Sequence, residues 1–252
     1  MTAASFEKLL QEARDAHAEF PALGDFCDFP NDLTPIDVQK RHLPCAELME
    51  QDATLQMPEV HPFARAFLDA SPNAFWRETY KDTDVRQDFM DRFGCYCLIG
   101  EGGAFHSEQM LGYVVYMPPG LYYPWHHHPA EEMYLVLAGE AEFRREGEAA
   151  EVLGPGQSSF HASNQPHAME TYDKSVLAYV IWRNEFGVKP VLTEREVRLS
   201  SMIWSGDIPA SKPAAYTMGL KALPVWRSAC VARLNRAGPF SRPPTTARTA
   251  PS

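Results

Sequence analysis

The stretch Gly120–Gly139, GLYYPWHHHPAEEMYLVLAG, decides the fold. Alternate side chains of an extended strand share a face, so His126 and His128 point one way while His127 points the other. Pro129 and Ala130 fall where the chain must turn. On the next run, EEMYLVLAG, Glu132 and Tyr134 share a face and leave Met133, Leu135 and Leu137 for the packed side. Two imidazoles and a carboxylate on facing strands make a mixed nitrogen and oxygen site. Such a site suits zinc, iron, manganese, cobalt or nickel rather than a thiolate-seeking ion.

A fourth ligand is expected one hairpin further on. Gly154-Pro155-Gly156 marks a turn, and Gln165-Pro166-His167-Ala168-Met169 supplies a histidine after a proline. His161 and His167 compete for the place. Pro166 ends the loop and sets His167 at the head of the strand HAMETY, which favours His167.

Outward from this core, short β-branched and aromatic runs (CYCLIG, LGYVVYM, EMYLVLAG, EAEFRRE and SVLAYVIWR) are separated by glycine and proline turns. That is an all-β pattern, and it places a barrel over residues 94–185. Residues 1–93 read as helical. Phe6, Leu9, Leu10 and Ala13 form a stripe behind Ser5 as N-cap. Thr34-Pro35-Ile36-Asp37 has the marks of a second helix start, and Ser71-Pro72 and Thr83-Asp84 open two short ones. Phe75, Trp76, Phe89, Met90 and Phe93 are available for burial. This segment lacks the apolar density of an independent domain, so it is expected to pack on the outside of the barrel or to help form a homodimer. Residues 186–252 form a C-terminal extension; after Asp207 it has seven Lys and Arg and no acid. Its last part, PFSRPPTTARTAPS, is too poor in apolar residues to order itself.

The chain has 252 residues, 45% of them hydrophobic, enough for one barrel domain with additions. A net charge of -10 argues against a nucleic-acid partner, because a phosphate-binding face needs surplus Lys and Arg. Five scattered cysteines suggest reduced thiols and a cytoplasmic location, with Cys95 and Cys97 read as core. No apolar run approaches the roughly 18 residues of a membrane span, and the N-terminus MTAASFEKLLQEARDA lacks the apolar region of a signal peptide.

Written as a pattern, Gly120, His126, His128, Glu132 and Gly139 resemble the first metal-binding signature of the cupins. The resemblance implies a jelly-roll (double-stranded β-helix) barrel with the helical segment added. More narrowly, YYPWHHHPAEEMYLVLAGEAEF, with QPHAMET and LAYVIWR, resembles the dimethylsulfoniopropionate lyase family of that superfamily. This implies a carbon–sulfur lyase that cleaves dimethylsulfoniopropionate to dimethyl sulfide and acrylate. It also implies a divalent transition metal (Zn, Fe or Mn) on His126, His128, Glu132 and His167. Tyr134 and Tyr123 are the catalytic candidates: Tyr134 matches the base, while Tyr123 and Trp182 match aromatic positions lining the substrate pocket.

The groups themselves argue the same chemistry. A proton alpha to a carboxylate is hard to remove unless a cation absorbs the developing charge, whereas a sulfonium leaves easily as a neutral thioether. A phenol titrating near about 10 becomes a base when a cation beside it favours phenolate. Tyr122, Tyr123, Trp125, Phe160 and Trp182 could offer ring faces to the sulfonium. Strict alternation puts Tyr122 on the His126 face and Tyr123 off it, unless Pro124 introduces a bulge. Two other readings leave Tyr134 optional: another metal-dependent cupin enzyme, such as an isomerase or oxygenase, and a non-catalytic small-molecule-binding barrel.

Overall fold

The computed structural model describes residues 3–80 and 85–193. Helices come first: α1 (Ala4–Glu19), α2 (Pro21–Phe26), α3 (Pro44–Gln51), α4 (Pro62–Ala70) and α5 (Gln87–Arg92), with one short strand among them, β1 (Thr34–Pro35). The strands follow as β2 (Gly94–Ile99), β3 (Phe105–His106), β4 (Leu111–Met117), β5 (Tyr122–His127), β6 (Glu131–Gly139) and β7 (Ala141–Arg145). The last are β8 (Glu151–Leu153), β9 (Ser158–His161), β10 (His167–Glu170), β11 (Val176–Arg183) and β12 (Val191–Leu192). They form a seven-stranded sheet, β1-β3-β2-β4-β11-β6-β9, and a five-stranded sheet, β12-β5-β10-β7-β8. The sheets face each other as the expected jelly-roll barrel. Its strands run on to Leu192, past the boundary at residue 185 that sequence suggested, because β12 pairs with β5 through Val191 and His127.

Period-two alternation divides the large sheet between two cores. Cys95, Tyr113, Val115, Tyr134, Val136, Val180 and Trp182 face inward, toward Tyr123, Phe143 and Met169 of the other sheet. Their neighbours Tyr96, Leu98, Val114, Tyr116, Leu135, Tyr179 and Ile181 face outward and are covered by Phe6, Leu9, Phe63 and Phe67 of α1 and α4. The large sheet is therefore buried on both faces, and its strands read as near-continuous apolar runs. The helical layer is the lid of the second core.

Several local readings are corrected. α1 starts at Ala4, with Ala3 as its cap and no side-chain cap bond, so Ser5 lies inside the helix. No helix begins at Thr34: residues 34 and 35 pair with His106 and Phe105, and the Ile36 N–H donates to the Ala104 carbonyl. The start motif is complete, but only Ile36 and Val38 follow it, too few to make an apolar stripe, and a β-bridge partner was waiting. The helix begins instead at Pro44 and buries Cys45, Ala46 and Met49. Ser71-Pro72 makes a single turn of 3-10 helix, Ser71–Asn73. The start at Thr83-Asp84 and the basic tail lie outside the described residues, although α5 supplies a helix just downstream with Phe89 buried. α4 had gone unread, and it carries the strongest apolar stripe: Phe63, Ala64, Ala66, Phe67 and Ala70 are all buried.

The two glycines that frame the deciding stretch differ in what they need. Both have positive φ, +69° at Gly120 and +70° at Gly139. A Cβ on Gly139 would stand 1.8 Å from the Ser175 carbonyl oxygen, whereas one on Gly120 would meet nothing within 4 Å. Gly139→Ala is therefore expected to cost more than about 3 kcal/mol, or to abolish folding, and Gly120→Asn about 1 kcal/mol or less. Urea denaturation of both variants checks the contrast, and equal losses would refute it.

The outer core also holds an acid-sensitive group. His17 is buried against Phe29 and Tyr179, and burial, only partly offset by the Cys27 backbone, lowers its pKa from 6.5 to about 4. Between those values the unfolded chain binds the proton and the folded chain does not, so stability falls as the pH drops from 6.5 toward 4. The full effect is about 3 kcal/mol at about 1.36 kcal/mol per unit. His17→Leu is expected to lose less melting temperature than the parent between pH 7 and pH 5; parallel losses would refute the assignment.

Candidate active site

The site forms where β5, β6, β9, β10 and β11 bring their inward side chains together. His126, His128, Glu132, His161 and His167 are each no more than 2% exposed. Ligand atoms of His126, His128 and His167 lie within 4.8 Å of one another, as do those of Glu132, His161 and His167. His167 is common to both groups. His127 faces away, with its Nδ1 2.8 Å from Thr193 Oγ1.

Three of the imidazoles are held alike. Nδ1 lies 2.9 Å from the Pro124 carbonyl in His126, 3.0 Å from that of Ala130 in His128 and 2.8 Å from that of Gln165 in His167. A carbonyl can only accept, so Nδ1 carries the proton and Nε2 presents its lone pair inward. His161 differs: its Nδ1 is 2.8 Å from Glu132 Oε2 and its Nε2 is 3.1 Å from Ser159 Oγ.

Glu132 is the meeting point. Its Oε1 accepts the Trp182 indole N–H at 2.6 Å and the Tyr113 hydroxyl at 2.9 Å. Around Oε2 stand His161 Nδ1, His167 Nε2 at 3.1 Å and His128 Nε2 at 3.4 Å. Burial pushes this carboxyl up, but the neighbouring imidazoles, His128 first, outweigh it and hold the group well below the usual carboxylate range. His126 is driven well below its ordinary value by burial and then by His167, and His161 to about 3 by burial first.

These residues fit a transition metal. His128 Nε2 and His167 Nε2 are buried without a hydrogen-bond partner, a costly state for a neutral imidazole and the one that a cation relieves. Zinc bonds of about 2.0 to 2.1 Å set tetrahedral ligand atoms roughly 3.3 Å apart, and the 3.1 and 3.4 Å separations from Oε2 match that spacing. The backbone carbonyls on Nδ1 are the outer shell that metal-binding histidines require.

The aromatic candidates divide. Tyr123 is buried in the lumen, stacked on His126 with centroids 4.1 Å apart, and its hydroxyl is 2.8 Å from that of Tyr80. Trp182 lies 4.1 Å from the His128 ring. Tyr134 is buried beside His161 and Phe143. Tyr122 is 40% exposed, with the Arg144 guanidinium over its ring, and Trp125 lines a shallow outer depression with Arg144 and Arg145. Neither reaches the lumen. On β10 the step from His167 to Met169 faces the step from His126 to Tyr123 on β5, so one extra residue bulges at Pro124-Trp125 and reverses the parity. Phe160 also faces out, 5.9 Å from Phe26.

Beyond the ligand cluster lies a cavity of about 300 Å³, lined by Arg77, Thr79, Cys95, Tyr113, Tyr123 and Trp182 among others, with His126 and Glu132 at its floor. Its apolar walls and few polar groups suit a small ligand. Sequence reasoning had passed over Tyr113, Tyr80 and Arg77. Tyr113 sits in a strand buried on both faces, where no alternation marks the inner side, and Tyr80 reaches in from a loop at φ 66°. Burial pushes the phenols of Tyr134, Tyr123 and Tyr113 well above their ordinary value; the next contributor is the Glu132 carboxylate for Tyr134 and Tyr113, and Tyr80 for Tyr123.

Comparison with known proteins identifies the family. The dimethylsulfoniopropionate lyase family model matches residues 29–178. The chain is 50% identical over 192 residues to the dimethylsulfoniopropionate lyase DddQ of Ruegeria pomeroyi, covering 76% of this chain and 96% of that protein. The crystal structure of DddQ from Ruegeria pomeroyi DSS-3 superposes with a TM-score of 0.74 over 76% of this chain and 98% of that one. A chain from the crystal structures of the lyases RdDddP and RnDddQII is 35% identical, with a TM-score of 0.72 over 76% and 98% of the two chains. Among the described residues no helix is long and apolar enough to cross a membrane. With the family matched across the inner strands that carry the histidines and Glu132, the chain belongs to the dimethylsulfoniopropionate lyase family.

Proposed function

We propose that this protein cleaves dimethylsulfoniopropionate to dimethyl sulfide and acrylate by base-initiated β-elimination. The observation that carries the reading is the Tyr134 phenol, buried in the same lumen as the imidazole and carboxylate cluster. His126, His128, Glu132 and His167 would hold a divalent transition metal, zinc, iron or manganese. Such an ion supplies positive charge for a substrate carboxylate and for the neighbouring phenol. Burial alone keeps Tyr134 protonated; a cation beside it would favour the phenolate, its proton released to solvent, and Tyr134 as phenolate would take the proton from the carbon alpha to the carboxylate. The electron pair of that C–H bond becomes the new double bond as the carbon–sulfur bond breaks, and the sulfur leaves with its own pair as a thioether. Tyr123 stacks on His126 and, through Tyr80, fixes one wall of the cavity; Trp182 closes another. A cytoplasmic location fits Cys45, Cys95 and Cys97, all free and buried; a homodimer is the assembly we expect.

Headspace detection of dimethyl sulfide over the purified protein tests the reading. We expect gas from the parent, none after chelation, and none from His128→Ala. Tyr134→Phe should retain the metal and lose about 100-fold or more in turnover, the lower end of what a general base supplies; undiminished release would sink the elimination mechanism.

A separate prediction concerns Glu132. Trp182→Phe and Tyr113→Phe each remove one donor from Oε1, and each should weaken zinc binding by about tenfold, the lower range for outer-shell partners. Competition with a chromophoric chelator reads the affinity. Parental affinity in both variants would show that these bonds do not orient the carboxylate.

A further inference from the structure

Among the described residues, the guanidinium in the cavity, that of Arg77, has no carboxylate partner. Arg77 is fixed at its backbone, where its N–H donates to the Cys95 carbonyl at 2.9 Å, next to a β-bridge between Trp76 and Tyr96. Its guanidinium lines the same cavity as His126, Glu132 and Trp182. Only one side-chain bond engages it, from Nη1 to Cys97 Sγ at 3.3 Å. Among the described residues no carboxylate pairs with it. Glu132, in the same cavity, is already committed to Trp182, Tyr113 and the histidines, and Glu101 on the lining forms no ion pair with it. Cys97 cannot serve as an anion, since burial holds its thiol above the ordinary value.

A guanidinium has five N–H donors in a planar fork that matches a carboxylate. Arg77 is partly buried and its one side-chain partner is a neutral sulfur, so most of its donors face the cavity, and the partner that fits them is an anion small enough to enter it. The chemistry proposed for this site has a carboxylate in both its substrate and its product. We propose that Arg77 is a carboxylate-binding residue of this cavity, sharing with the metal site the task of holding the propionate end of the substrate and orienting it through a charge-assisted hydrogen bond, while the aromatic walls take the sulfonium end. The assignment rests on the lyase reading for the identity of the substrate, but not for the existence of the anion site. It makes Arg77 a substrate-positioning group, and it makes acrylate a competitive inhibitor that uses the same contact.

The test uses the full-length, metal-loaded protein and propionate as probe, titrated calorimetrically. Arg77→Gln is expected to weaken propionate at least tenfold and to raise the KM for dimethylsulfoniopropionate by a similar factor, with a smaller change in kcat. The inhibition constant of acrylate should rise in parallel. Arg77→Lys, which keeps the charge but loses the fork, should fall between, and Lys189→Gln, at the exposed rim, should bind propionate within twofold of the parent. A folded Arg77→Gln protein with parental propionate affinity overturns the proposal, as does one that loses only melting temperature. If Arg77→Gln does not fold, Arg77→Lys decides, and unchanged propionate affinity in it overturns the proposal. Should the parent release no dimethyl sulfide while binding propionate through Arg77, the lyase reading fails and the anion site stands.

Discussion

The structure depends on keeping the Glu132 carboxylate ionised at the centre of a barrel, with 1% of the residue exposed. A charge in that position costs several kcal/mol unless it is surrounded by donors. Oε1 takes the indole of Trp182 and the phenol of Tyr113, and Oε2 faces three imidazoles. These partners come from β4, β9, β10 and β11, and from the turn after β5. The carboxylate therefore fixes the register of β4, β9 and β11, where a one-residue slip would turn the Tyr113, His161 or Trp182 donor outward and strand the charge.

Much of this was legible before any coordinates. The spacing of His126, His128 and Glu132 encodes which face each occupies, because alternation is a local property that survives into the fold. The same rule fails where its premise fails. Tyr122 and Trp125 were expected in the pocket, but Pro124 cannot donate to a strand ladder and a bulge forms there, exchanging the faces of Tyr122 and Tyr123. The helix expected at Thr34 shows the converse error: a correct start signal has no force without an apolar stripe behind it. Tyr113, Tyr80 and Arg77 lay beyond reach for a different reason. They enter the cavity through a doubly buried strand, a left-handed loop residue and an irregular segment, none of which marks its inward side in sequence.

The division of labour between the two cores explains why the helical layer is present at all. A barrel whose lumen holds five ionisable side chains near the ligand cluster and a cavity of about 300 Å³ cannot draw full stability from its interior. The outer face of the large sheet compensates. Tyr96, Tyr116 and Tyr179 are fully buried there beneath the helices, with Phe63 and Phe67 packed edge-on or tilted against Tyr179 and the Tyr116 hydroxyl bonded to the Leu48 carbonyl of α3. Side chains packed on the outside hold strands whose inner faces are given over to chemistry.

That arrangement gives the lumen a common character. His128 Nε2 and His167 Nε2 have no hydrogen-bond partner, and among the described residues the guanidinium of Arg77 has no carboxylate partner. Each is a debt to folding that a ligand can cancel: a cation for the nitrogens and a carboxylate for the guanidinium. A site built this way binds by completing contacts that the protein alone leaves open, so the free energy of loading appears as stability of the native state. The groups left least satisfied by folding are therefore the ones best placed to recognise what enters.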